Sequence, residues 1–127
     1  MKKLIPILLS ALLFTGCASS NNQTNTYRQI SMDEAVAMMA EEQGYIILDV
    51  RRADEYAEGH IPNAINVPNE TIGTDEIPEL PDKDQLIMVY CRSGRRSKEA
   101  SKKLVKLGYT NIVEFGGILD WRGDFET

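Results

Sequence analysis

Four short apolar runs recur along the chain after residue 26, and each has the length and composition of a buried strand. They cover residues 45–50, 64–67, 85–90 and 112–115. The segments between them are more polar and place apolar residues on one face at helical spacing. Because strands that alternate with helices build parallel sheets, the pattern predicts an α/β domain with a mainly parallel sheet.

Helix signals fall between these runs. Ser31 and Glu34 have the spacing of a capping box, and one apolar face follows until Gly44. The other predicted helices cover 52–58, 97–107 and a final short one at 116–121. Residues 69–84 are polar and contain prolines, so they are expected to be mostly loop.

Residues 1–16 differ from the rest of the chain. A basic start precedes an apolar run that is too short to span a bilayer, which is typical of a secretory signal. A buried N-terminal helix is the alternative interpretation. The expected organisation is a signal segment at 1–16, a flexible polar tether at 17–26 and one folded domain at 27–127.

The end of that segment resembles a bacterial lipoprotein cleavage site, with small residues before Cys17. The resemblance implies cleavage before Cys17 and a lipid on its sulfur. The chain would then be anchored in the bacterial cell envelope. Ala18 favours the outer membrane facing the periplasm if the bacterium has two membranes. The alternative is an ordinary secreted protein with a free thiol at Cys17.

Composition narrows the function further. The chain has a formal net charge of −5 at pH 7, which gives no general attraction to nucleic acid. It has one histidine, His60, and two cysteines, so no metal site and no cofactor are expected. If Cys17 carries lipid, Cys91 has no partner in the chain. An inert core cysteine is the alternative, but the adjacent Arg92 makes position 91 a poor core environment.

Cys91 carries the most informative chemistry. It follows a predicted strand directly and begins the segment CRSGRRS at 91–97, after which a helix is expected. Loop N–H groups and a helix N-terminus favour negative charge on the sulfur. Arg92, Arg95 and Arg96 strengthen that field, so we expect a thiolate nucleophile that acts on a small anion. The alternative is a solvated basic start to a helix.

These segments together resemble the rhodanese-like sulfurtransferases. The likeness rests on the loop at 91–97, on DVR at 49–51, on EYAEGHIPNAINVP at 55–68 and on GGILDW at 116–121. It implies a single domain with a five-stranded, mainly parallel sheet and helices on both faces. It also implies that Cys91 takes sulfane sulfur from thiosulfate or a similar donor, holds it as a persulfide, and passes it to cyanide or a thiol.

The same resemblance assigns roles within the loop. The backbone amides of the loop would surround the persulfide; they belong to Arg92, Ser93, Gly94, Arg95 and Arg96. Arg92 and Arg95 would attract the anionic donor, whereas Arg96 and Ser97 would hold the loop in shape. Asp49, Arg51 and Trp121 are expected to be structural.

Several alternatives stay open from the sequence alone. His60 is either a base near Cys91 or a helix-end residue that bonds locally. Cysteine phosphatases need an arginine six residues after the cysteine, where this chain has Ser97, so phosphate chemistry is disfavoured. Cys91 could instead carry sulfur for a protein partner, or act as an envelope redox thiol.

Overall fold

The computed structural model describes residues 26–127. The expected signal segment at 1–16, the lipid acceptor Cys17 and the tether up to residue 25 lie outside the described residues. No helix within 26–127 has both the length and the apolar character needed to cross a membrane.

Five strands form one sheet, and every neighbouring pair runs parallel. The strands are β1 (Arg28–Gln29), β2 (Ile46–Asp49), β3 (Ile65–Asn66), β4 (Ile87–Cys91) and β5 (Ile112–Gly117), in the order β1-β5-β4-β2-β3. The predicted five-stranded parallel α/β fold is therefore confirmed. Strand β1 has only two residues, too short to produce an apolar run.

Three helices connect and cover the strands: α1 (Met32–Glu41), α2 (Ala53–Glu58) and α3 (Arg95–Lys106). The capping box at the start of α1 is confirmed. The Glu34 amide donates to Ser31 Oγ at 3.1 Å, and the Ser31 amide donates to the Glu34 carboxylate at 2.9 Å. The loop predicted at 69–84 contains one short 3-10 turn, Asn69–Thr71.

Among the predicted boundaries that were wrong, two affect the loop after Cys91. Helix α3 begins at Arg95, two residues early, because Gly94 takes a left-handed conformation that turns the chain directly into the helix. The Gly116-Gly117 pair does not begin a helix. It completes β5, where Gly117 pairs with Cys91, and only a 3-10 turn at Ile118–Asp120 follows.

Both faces of the sheet are buried, and the side chains of each strand point alternately to one face and the other. In β4, Val89 and Cys91 pack into the cluster that α3 covers with Ala100 and Leu104. Met88 and Tyr90 point to the other face, in the cluster that contains Ala35 of α1. This alternation confirms helices on both faces and directs Cys91 toward α3.

Candidate active site at the end of strand β4

Cys91 is the last residue of β4, at the carboxyl edge of the central part of the sheet. Cys91 is only 1% exposed, and it belongs to the apolar cluster beneath α3. The expectation that position 91 is a poor core environment was wrong. The register of β4 turns the sulfur toward α3, whereas Arg92 lies beyond the end of the strand, in the loop, and is exposed.

The loop after Cys91 folds back over the sulfur. Gly94 has φ +113°, and its N–H donates to Cys91 Sγ at 3.0 Å. A positive φ of this size favours glycine, since other residues are strained there. Helix α3 begins immediately afterwards, so the amides of its first turn have no intrahelical acceptors. Five loop amides were expected around the sulfur. Among the described hydrogen bonds, it is the Gly94 amide that donates to Sγ.

Gly117 of β5 holds the other side of the loop. A Cβ at this position would overlap the carbonyl group of Arg92 and lie 2.5 Å from the Ser93 nitrogen. The Arg92 carbonyl also accepts a hydrogen bond from the Leu119 amide at 3.3 Å. The end of β5 therefore sets where the loop backbone lies.

A cleft of about 420 Å³ opens beside the loop. Its lining residues are Arg52, Glu70, Arg92, Ser93, Arg95 and Arg96. The last four were predicted from the sequence, whereas Arg52 and Glu70 were not. Arg52 lies between the family-like segments 49–51 and 55–68, and nothing in its local sequence shows that it joins residues 92–96. The arrangement can bind a small anion, with one carboxylate opposing it.

The four arginines of the cleft differ in their ion pairs. Arg96 contacts Glu55 at 2.7 Å, Arg95 contacts Glu99 at 3.1 Å, and Arg52 contacts Asp54 at 3.0 Å. Across residues 26–127, no ion pair is found for Arg92. Arg92 is therefore the cleft cation whose charge is least compensated.

The Arg96–Glu55 pair joins α2 to the start of α3. The two guanidinium nitrogens of Arg96 donate to both carboxylate oxygens of Glu55, at 2.7 and 3.1 Å. This hydrogen bond with Arg96 lowers the pKa of Glu55 to about 2. The bidentate geometry makes Arg96 an anchor for the loop.

Behind the sulfur lies a buried polar chain. Ser97 is fully buried, and its Oγ lies 3.4 Å from Cys91 Sγ and 2.5 Å from a carboxylate oxygen of Glu114. Glu114 is on β5 and only 2% exposed. Glu114 was not predicted as a site residue, although it is the one acid inside the apolar run 112–115.

His60 lies in a local structural environment. Its ring stacks on Tyr56 with centroids 3.8 Å apart, and Nδ1 lies 3.0 Å from the Tyr56 carbonyl oxygen. Its backbone pairs with Glu126, and none of its described contacts is with Cys91. Of the two interpretations of His60, the helix-end residue with local hydrogen bonds fits these contacts.

Asp49 and Arg51 form a buried ion pair at 2.7 Å, and the Tyr90 hydroxyl donates to Asp49 at 2.6 Å. Burial and the hydrogen bond to Asp49 raise the pKa of Tyr90. Trp121 packs at the edge of the core and donates its indole N–H to the Asp124 carbonyl at 2.8 Å. These contacts agree with structural roles for Asp49, Arg51 and Trp121.

Within the part of the chain that the structure describes, no group of three or more His, Cys, Asp or Glu side chains is placed to hold a metal ion. The described residues therefore provide a buried sulfur with one amide and one hydroxyl at its side, and a cationic cleft. Such a site suits nucleophilic attack by sulfur on a small anion.

Comparison with known proteins bears on this geometry. A family model described as "Rhodanese-like domain" matches residues 31–124. The thiosulfate sulfurtransferase PspE of Escherichia coli (strain K12) is 36% identical over 73 residues, which are 58% of this chain and 70% of that protein. A solved structure, a rhodanese with anions from E. coli, is similar with a TM-score of 0.59 at 31% identity. It covers 65% of this chain and 98% of that one.

A second relative is named as a sulfur carrier and not as a sulfurtransferase. The putative sulfur carrier protein YrkF of Bacillus subtilis (strain 168) is 29% identical over 120 residues, which are 94% of this chain. The chain spans 64% of the length of that relative. The family model, these relatives and the five-stranded parallel sheet agree, and the chain belongs to the rhodanese-like family of sulfurtransferases and sulfur carriers.

Proposed function

We propose that the protein is a sulfurtransferase that uses Cys91 to move sulfane sulfur from thiosulfate, or a similar anionic donor, to cyanide or a thiol. The observation that carries the proposal is the position of Cys91 Sγ, which accepts a hydrogen bond from a loop amide at 3.0 Å, at the start of the loop whose residues line a cleft with four arginines. The name of PspE, a thiosulfate sulfurtransferase, supports the same donor.

The chemistry takes two displacements. The Cys91 thiolate attacks the outer sulfur of thiosulfate, a new S–S bond forms, and sulfite leaves with the electron pair of the old one. Cyanide or an acceptor thiolate then attacks the outer sulfur of the Cys91 persulfide. The Cys91 S–S bond breaks, and its electron pair restores the thiolate. The Gly94 N–H stabilises the negative charge on Sγ before the first transfer and after the second.

Loop geometry favours sulfur over a phosphoryl group. Position 97, where cysteine phosphatases place an arginine, holds a fully buried serine. Arg96 is one residue earlier, and its guanidinium is already bound to both oxygens of Glu55. Neither side chain is free to hold a tetrahedral phosphate.

The test is cyanide-dependent formation of thiocyanate from thiosulfate by the purified protein. We expect activity that disappears in Cys91→Ala and Cys91→Ser, with no loss in Glu41→Gln, an exposed control on α1. Activity that survives Cys91→Ala would contradict the proposal. Turnover of p-nitrophenyl phosphate that depends on Cys91 would reopen phosphatase chemistry.

A sulfur carrier for a protein partner is the second candidate, supported by the likeness to YrkF along 94% of the chain. Protein isolated from cells would then carry one extra sulfur atom on Cys91, measured by mass spectrometry, yet form almost no thiocyanate. Mixed disulfides or sulfenic acid on Cys91 in place of the persulfide would instead favour an envelope redox role.

We further propose that the chain is exported and lipid-anchored in the bacterial cell envelope through Cys17. The support is the sequence of residues 1–17 alone. Metabolic labelling with a fatty acid should mark the wild-type protein and Cys91→Ala but not Cys17→Ala. A labelled Cys17→Ala protein would contradict the assignment.

A further inference from the structure

The buried carboxylate of Glu114 has no part in the chemistry described so far. It is 2% exposed, and glutamate is rarely buried so fully unless it is paired. No ion pair of Glu114 is found among residues 26–127. Its described partners are the Ser97 hydroxyl at 2.5 Å, the Gly116 amide at 2.9 Å and the Gln29 side-chain amide at 3.5 Å.

The hydrogen bonds of Ser97 link this carboxylate to the nucleophile. A serine hydroxyl has one proton to donate and can accept bonds at the same time. Ser97 Oγ lies 2.5 Å from Glu114 and 3.4 Å from Cys91 Sγ, the latter within reach of a bond to sulfur. If Glu114 is ionised, Ser97 donates to it and accepts from the Cys91 thiol. If Cys91 is ionised, Glu114 carries the proton and Ser97 donates to the sulfur.

We propose that Glu114, acting through the Ser97 hydroxyl, holds the proton that Cys91 releases when its thiolate forms. The Cys91 S–H proton passes to Ser97 Oγ while the Ser97 proton passes to Glu114. The thiol and carboxylate become a thiolate and a carboxylic acid, and the net charge of the three groups does not change. Glu114 is a positioning residue in this scheme, because it reaches the sulfur only through Ser97.

The scheme rests on the proposed sulfur transfer and fits its electron balance. Sulfite leaves with its electron pair in the first displacement, and the second returns a thiolate to Cys91, so neither step consumes the stored proton. If Glu114 is neutral when Cys91 is a thiolate, the two groups that Ser97 connects do not both carry negative charge in a region of low dielectric.

Among residues 26–127, Glu114 is the carboxylate that is hydrogen-bonded to Ser97. Strand β1 presents the neutral Gln29 to Glu114. On the Cys91 side, the charged groups are Arg96 and its partner Glu55. The positive charge of Arg96 interacts with Cys91 through space. The alternative is that Glu114 only fixes the backbone, because it also accepts from the Gly116 amide.

The pH dependence of Cys91 alkylation by iodoacetamide, a neutral reagent, separates the two roles in the full-length protein. Two coupled acids titrate in two steps that belong to the pair. We expect two proton-linked steps in the rate for wild type and Glu41→Gln, but one step for Glu114→Gln and for Ser97→Ala. A one-step profile that is the same in wild type and Glu114→Gln overturns the proposal.

If Glu114→Gln fails to fold, infrared spectroscopy of the unmutated protein decides. A neutral-carboxyl band that is still present after thiolate absorbance first rises with pH, and that disappears only in the second step, supports the relay. A carboxylate band that is fully formed before any thiolate absorbs overturns it. Alkylation and infrared measurements need no sulfur transfer. A protein that forms no thiocyanate but keeps the two-step profile would refute the proposed function and leave the proton relay standing.

Discussion

At the scale of single residues, Cys91 and Arg92 are neighbours in the chain with opposite environments. The sulfur of Cys91 is buried under α3, and the Arg92 side chain is exposed beside the cleft. Because β4 ends at Cys91, the sulfur belongs to the sheet and is covered by α3, whereas Arg92 belongs to the loop. In the proposed function, the nucleophile is therefore buried and the group that attracts the anion is at the surface.

Arg92→Ala should raise KM for thiosulfate about tenfold with a smaller change in kcat. A hydrogen bond to a charged group contributes about 1.5–3 kcal/mol, and Arg92 has no described ion pair that competes for it. Steady-state kinetics measure the effect. Arg122→Ala, which removes an exposed arginine paired with Asp33, is the matched control and should leave KM unchanged.

Glu70→Gln should change KM for thiosulfate in the opposite direction. Glu70 is the one carboxylate that lines the cleft, so its removal should lower KM for thiosulfate roughly twofold to threefold at low salt. The gain should shrink as ionic strength rises, because exposed charges are screened. Glu79→Gln, also exposed, is the control. An unchanged KM in Glu70→Gln at low salt would show that the donor binds away from this carboxylate.

At the scale of elements, two joints place the active-site loop. Glu55 ties α2 to the start of α3 through Arg96, and Gly117 lets β5 approach the Arg92–Ser93 backbone. Both joints connect segments that are far apart in sequence. The loop conformation therefore depends on α2 and β5 as much as on its own residues.

The Glu55–Arg96 joint predicts a pH window. The pKa of Glu55 is lowered from 4.5 to about 2, so the pair stabilises the fold fully above pH 4.5 and is lost as pH falls toward 2. The shift itself corresponds to about 3 kcal/mol, and solvent screening at the cleft should reduce this to about 1–2 kcal/mol. Denaturant unfolding of wild type and Glu55→Gln should show a stability difference above pH 4.5 that vanishes near pH 2.

The control for this prediction is Glu58→Gln, an exposed residue at the end of the same helix. It should track the wild type at every pH. A difference between wild type and Glu55→Gln that persisted at pH 2 would mean that the ionised pair is not its source.

Gly117→Ala should damage the loop directly. Its new methyl group would overlap the Arg92 carbonyl, and a backbone obstacle cannot move aside as a flexible side chain can. We expect a loss of about 1–3 kcal/mol in unfolding free energy and loss of thiocyanate formation. Gly73→Ala is the matched control, because a Cβ there meets nothing within 4 Å. Full activity in Gly117→Ala would show that the loop tolerates a shift at Arg92.

At the scale of the whole molecule, strand order brings the site together. The order β1-β5-β4-β2-β3 places β5 and β2 on either side of β4, so the carboxyl ends of all three surround Cys91. Ligands in open parallel sheets bind at such edges. Because the cleft draws on residues from 52 to 96, anion binding should stabilise the whole fold and not only the loop.

Thermal unfolding of Cys91→Ser tests this linkage without turnover. Saturating thiosulfate should raise Tm, since a ligand at 100 times its Kd contributes about 2.7 kcal/mol. The rise should disappear in the double variant Cys91→Ser, Arg92→Ala. Chloride at matched ionic strength serves as the control for general salt effects, and an equal rise with chloride would contradict specific anion binding.

The sequence by itself determined most of the elements and identified Cys91 as the candidate nucleophile. Apolar runs predicted four of the five strands, Ser31 and Glu34 predicted the start of α1, and the strand–Cys91–loop–helix order predicted a site at the sheet edge. These features depend on residues close together in the chain, where spacing and local sterics decide the outcome.

Only the tertiary structure decided which distant side chains complete the site. Arg52 joins the cleft, Glu55 binds Arg96, and Glu114 reaches Ser97 because parallel crossovers bring separate strand ends together. The residues next to Cys91 in the sequence likewise did not predict its burial. That burial depends on the helix that covers Cys91 and on the register of β4. Local patterns carry no information on such contacts, because strand order and packing create them.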